Sequence, residues 1–143
     1  MPDDDHTLER FISAQEIHYE QALLELTEGH KYTHWSWFII PQLRGLARSH
    51  RAHFYGIADL SEAILYAEHP NLGPRLETCA KAILRHPNVE IRAILGETDA
   101  RKLKSCATLF SHTVLRDSAL ELLAVFYAGE RCAQSEELLA RDH

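Results

Sequence analysis

Glycine and proline cut this chain into one long helical stripe and a series of short ones. From Leu8 the apolar residues Leu8, Phe11, Ile12, Tyr19, Ala22, Leu23 and Leu26 recur at the 3.6-residue period of a helix. Thr7 or Asp5 is placed to cap its start, and Gly29 to close it in the left-handed conformation. Asp59 followed by Glu62 has the form of a capping box, and Pro70 stops that helix near Glu68. Pro74 suits a first helical turn, and the segment it opens ends before Pro87. Residues 88 to 96 form a short helix closed by Gly96. Asp99 caps the next, which runs to about His112; Ser118 to Ala128 follows with Gly129 behind it, and Ser135 starts a last short helix. No alternating strand pattern of useful length competes, although residues 34 to 40 also fit a buried strand. The expected architecture is all-α, with seven or eight short helices.

Length and charge then limit what such a chain does. Its 143 residues fit a single domain, 1–143, with residues 1 to 6 as a tail. The 45% hydrophobic and 25% charged residues lie near globular averages and away from disorder. Twenty-one acidic against 15 basic residues give a formal charge of -6, so the electrostatic footprint of a nucleic-acid binder is missing. The best local exception, "RGLARSHRAH" with Arg44, Arg48, Arg51, His50 and His53, has only Tyr55 beside it and lacks an aromatic array. Cys79, Cys106 and Cys132 are widely spaced and odd in number, which argues against disulfides and a zinc site. The acidic start "MPDDDHTLER" is no signal peptide, and no run approaches a membrane span. A cytoplasmic location is expected.

The chemistry-bearing stretch is "KYTHWSWFIIPQ", residues 31 to 42. As a helix, 34 to 40 is apolar nearly all round, which places it in a domain core with His34 and both indoles hydrogen-bonded. Its functional reading is an aromatic-walled pocket in which Lys31, His34 and Gln42 are the polar groups. Gln15 falls on the apolar stripe of the first helix, so it is either bonded to nearby backbone or faces a polar cavity. The pairs His30 with His34 and His50 with His53 have helical spacing, but no third ligand or metal motif accompanies them, and no metal or other cofactor is expected. Along "DARKLKSCATLFSH", Leu103, Ala107, Phe110 and Val114 form the core stripe. Arg101, Ser105, Thr108 and His112 read as a solvated face on which Thr108 and His112 could hydrogen-bond; alternatively Lys102, Ser105 and Thr108 bind an anion near the helix start. Arg75 beside Pro74 is wrong for the helix dipole unless paired, either with Glu68, Glu77 or Asp99 or with an anion.

Several strings, in order, resemble a bacterial domain-of-unknown-function family, number 1810: "RFISAQ", "GHKYTHWSWFIIPQLRGLARS", "FYGI", "EAILYAEHPNLGPRLETC" and "ILGETDARKLKSCATLF". The resemblance covers about residues 8 to 140 and implies one all-helical domain; it implies no activity. Methionine is usual in the family where this chain has Ser36 and Ala107. The label calpastatin sometimes given to members describes a disordered inhibitor and does not fit a globular composition.

The leading expectation is a protein that binds a small anionic, nucleotide-like ligand. Trp35 or Trp37 supplies the stacking surface, Lys31, Arg75 and Lys102 the charge, and Gln15, His34, Gln42, Ser105 and Thr108 the hydrogen bonds. If there is turnover, hydrolysis with His34 as general acid or base is the expected form. The alternative is a non-catalytic interaction domain or homodimer. No nucleic-acid or membrane partner is expected.

Overall fold

Where breakers and caps stand in the sequence, helices begin and end. The structure, a computed structural model, describes residues 7–141; the expected tail 1–6 and the Asp5 cap lie outside them. Among these residues there are nine helices and no strand beyond one isolated bridge. Helix α1, Glu9–Glu28, buries Phe11, Ala14, Ala22 and Leu26, and closes on Gly29 at φ +84° as expected. Its start is not capped by Thr7. Leu8 holds the N-cap position without a side-chain bond, and the buried Arg10 donates to the Thr7 carbonyl instead.

Helix α2, Ser36–Ile39, is a single turn, shorter than the helix expected over 34 to 40, and neither its backbone nor its neighbours form a strand there. Ile40 and Pro41 end it, and a parallel bridge then joins Leu43 to Ile57 through Ile57 N–H to Gln42 O (2.9 Å) and Arg44 N–H to Ile57 O (2.8 Å). Between the bridge partners lies α3, His50–Phe54, capped by Ser49. The basic stretch is therefore partly helical and carries no buried side chain within α3.

Asp59 caps α4, Leu60–Glu68, accepting from Glu62 N–H at 2.9 Å. Helix α5, Leu72–Leu84, starts two residues before Pro74 because the His69 ring Nδ1 accepts from the Asn71 and Leu72 amides and holds the turn. Helices α6, Ile91–Leu95, and α7, Glu97–Phe110, meet at Gly96, so Asp99 sits inside the first turn of α7 rather than capping it. Helices α8, Arg116–Tyr127, and α9, Ala133–Arg141, complete the chain.

Helix α7 packs against α4, α6, α8 and α9, while α1 lies across α2 and α5. Its buried residues include Leu103, Cys106, Ala107, Leu109 and Phe110, but the expected fourth member of the stripe, Val114, is 64% exposed beyond the helix end. The face expected to be solvated is so only at its ends: Arg101 and His112 are exposed, whereas Ser105 and Thr108 are buried because α9 and the turn before it cover them. Among the described residues no helix is long and apolar enough to cross a membrane.

The α4–α5 junction depends on a missing side chain. A Cβ on Gly73 would lie 2.0 Å from the Ala67 carbonyl oxygen, so backbone would have to move. Gly73→Ala is expected to lose about 2 kcal/mol of stability from overpacking; an unchanged urea midpoint would show that the two helices separate freely.

Candidate functional site

The polar part of "KYTHWSW" folds around one carboxylate. Glu25, buried near the end of α1, accepts from Tyr32 N–H (2.7 Å), Thr33 N–H (3.0 Å), Thr33 Oγ1 (2.6 Å), Trp35 Nε1 (3.1 Å) and Gln21 Nε2 (2.8 Å). Burial pushes its pKa up, but the bonds from Thr33, Gln21 and Tyr32 prevail and hold it at about 2. The loop so formed drives Trp35 into the core, 1% exposed, and leaves Trp37 half-buried at the surface. Of the two indoles, Trp37 is the one a ligand can reach.

Beside Trp37 the chain gathers more positive than negative charge. Lys102 Nζ, from the first turns of α7, lies 4.7 Å from the centre of the Trp37 ring and donates to Ser36 Oγ at 3.1 Å. The Arg51 guanidinium, from α3, lies 4.9 Å from the same ring. Asp99 is the carboxylate of the group, and it binds Lys31 closely (2.9 Å) and Lys102 more loosely (3.7 Å). Lys31 also covers the Trp35 ring at 4.9 Å. Two lysines thus share one carboxylate, with the Arg51 guanidinium on the same indole as Lys102. Burial is the main reason the Lys102 pKa falls below the usual lysine range; Lys31 adds to the fall and Asp99 opposes it.

These groups border a recess whose polar lining is Ser36, Gln42, Tyr55 and Lys102, with Trp37 as its aromatic wall. Its free space is about 230 Å³ including the part open to solvent, of which only about 10 Å³ admits the centre of a water molecule. A second void, between α5, α7 and α8, is apolar apart from Glu77 and Ser118, which bond each other at 2.9 Å. It has room for about one water, and its charged group, Glu77, is already bonded to Ser118.

The expected site residues separate into groups. Lys102, Trp37 and Gln42 meet at the recess, and Lys31 adjoins it through Asp99. Trp35 serves the core. Gln15 is buried, donating to Phe38 O (2.7 Å) and Tyr66 Oη (2.9 Å), which is the backbone-bonded alternative. Arg75 donates to Gln15 Oε1 (3.4 Å) and lies over Tyr19, so neither an ion pair nor the recess engages it. Thr108 Oγ1 donates to Lys104 O and accepts from Cys132 N–H, Ser105 faces Cys132, and His112 pairs with Glu136 instead of Thr108. His34 is exposed and does not line the recess. With α1 ended at Glu28, His30 and His34 share no helix face, and among the described residues no group of three metal-ligating side chains occurs.

Ser36, Arg51, Tyr55 and Asp99 are functional candidates that sequence reading left out. Arg51 stood in the basic stretch and Asp99 was read as a cap; nothing local showed that either reaches Trp37 or Lys102. Ser36 supplies the hydroxyl that holds Lys102.

Most of the chain is matched in fold and sequence. It belongs to the family described as protein of unknown function (DUF1810), whose model matches residues 5–139. It is similar to the crystal structure of the conserved hypothetical protein Rv1873 from Mycobacterium tuberculosis, with 41% identity, a TM-score of 0.91, and coverage of 93% of this chain and 96% of that one. No curated protein matches it.

Because the Glu25 pKa of about 2 lies below that of an exposed glutamate, folding gains stability from the ionised form. That gain is complete above the unfolded pKa, about 4.3, and is lost as the pH falls toward 2. Its size is on the order of 2 kcal/mol after allowance for solvent screening. Urea denaturation of wild type and Glu25→Gln at pH 7 and pH 3 tests this: the gap between them is expected to narrow in acid. Parallel losses would place the acid sensitivity elsewhere.

Proposed function

We propose that this protein binds a small anionic ligand carrying a planar, nucleotide-like group at the Trp37 recess. The observation that carries the reading is the excess positive charge there: Lys102 and Arg51 flank one indole, while Asp99, which pairs with Lys102 at 3.7 Å, is held more closely by Lys31. A partly desolvated ammonium favours an incoming anion more strongly than a solvated one does, because the screening water is fewer. Ser36, Gln42 and Tyr55 add hydrogen-bonding groups of both senses. The lining favours binding over hydrolysis, since the imidazole of His34 lies outside it. A cytoplasmic location fits three free cysteines.

A second reading, homodimer or protein contact, draws on α1. Ile17 is 77% exposed and borders a groove with Ala14, His18, Phe38, Phe54 and Tyr55. Concentration-dependent light scattering that Ile17→Glu abolishes would favour that reading.

Titration of tryptophan fluorescence with a nucleoside diphosphate and with a sugar phosphate tests the first. A saturable change is expected, weakened about tenfold by Lys102→Met or Arg51→Ala, the size of one charge-assisted contact, and untouched by His34→Ala. Lys102→Met is expected to keep the wild-type melting temperature, since Asp99 retains Lys31. Equal affinity in the wild type and both charge variants would remove the recess from consideration.

A further inference from the structure

Cys132 ends the turn between α8 and α9 and stands immediately before the first residue of α9. Its Sγ lies 3.4 Å from Ser105 Oγ and accepts from Ser135 N–H at 3.4 Å, while its own N–H donates to Thr108 Oγ1 at 2.8 Å. The other two cysteines are buried in the core, where burial pushes the thiol of Cys79 up to about 12 and that of Cys106 up as well. At Cys132, half-buried, burial also acts upward. Hydrogen bonding, from the Ser105 side chain and from the Ser135 and Gln134 amides, outweighs it, so the thiol ionises below its usual range.

The second observation is Ser135 itself. Its hydroxyl is fully buried beside the Cys132 thiol, yet among the described residues it is the one buried side-chain polar atom that makes no hydrogen bond. Leaving a buried hydroxyl unmatched costs about 1–3 kcal/mol, and sulfur is a weak acceptor. An oxygen attached to that sulfur would be a strong one.

We propose that Cys132 is an oxidation site at which a hydroperoxide converts the thiol to a sulfenic acid, with Ser135 Oγ donating to the new oxygen. The Cys132 thiolate attacks the terminal peroxide oxygen. The S–O bond forms as the O–O bond breaks, sulfur gives up two electrons to the peroxide, and the departing alkoxide or hydroxide takes the proton released by the thiol. The products are the sulfenic acid and an alcohol or water. The site is separate from the Trp37 recess and does not depend on ligand binding there.

The test is brief exposure of the full chain to dilute hydrogen peroxide with dimedone present, followed by peptide mass mapping. In the folded protein the adduct is expected on Cys132 and not on Cys79 or Cys106; in urea, where all three are ordinary thiols, Cys132 should label more slowly than when folded. Ser135→Ala, with its melting temperature checked, is expected to label Cys132 about fivefold less, the loss of one hydrogen bond. Folded Cys132 that labels no faster than in urea overturns the proposal, and that comparison uses wild type alone. Wild-type labelling in a folded Ser135→Ala protein overturns the role of the hydroxyl.

Discussion

The Glu25 carboxylate is the point from which the candidate site is organised. Charges in protein interiors are ordinarily answered by an opposite charge or expelled, and a carboxylate near a helix C-terminus also faces the negative end of the helix dipole. Here five N–H and O–H groups, four of them from residues 32 to 35, do the answering. Those bonds oblige the loop to turn at once after α1, sending one tryptophan inward. The next residues, Ser36 and Trp37, then meet Lys102. A residue at position 25 without a side-chain acceptor would leave the loop amides unanswered and the direction of Trp35 unfixed.

The electrostatic contrast across the molecule bears on what partner is recognised. Net charge is -6, yet the recess concentrates cations around one indole. A compact anion samples that local field more than the net charge of the molecule.

What the sequence made legible is what neighbours along the chain decide. Asp59 finds its acceptor role three residues away, Gly29 needs only its own missing Cβ, and Pro70 stops a helix by its own ring; all three did as expected. Ser105 and Thr108 were misread because the segment that covers them, around Cys132, lies 24 or more residues downstream. The same holds for the site. Lys102, Gln42 and Trp37 were recognisable as types, but Arg51 and Asp99 acquire meaning only when α3 and α7 converge on α2. Arg75 illustrates the reverse error: its charge is accommodated by an aromatic face and an amide, so no carboxylate was needed.

Arg10 and Glu25 sit on the same helix and recruit partners at very different distances. Glu25 draws on residues no more than ten positions away, whereas Arg10 reaches the Phe54 and Gly56 carbonyls and the Glu62 carboxylate, 44 to 52 positions on. Closing the longer loop costs roughly 1.5 kcal/mol more entropy than closing the shorter one. The two ends of α1 are thus expected to become native in sequence: its C-terminal half with the adjoining loop first, its N-terminal turn only once α3 and α4 have arrived. In the finished protein the same order should appear in reverse, with the amides around Arg10 exchanging through a lower-energy opening than those bound to Glu25.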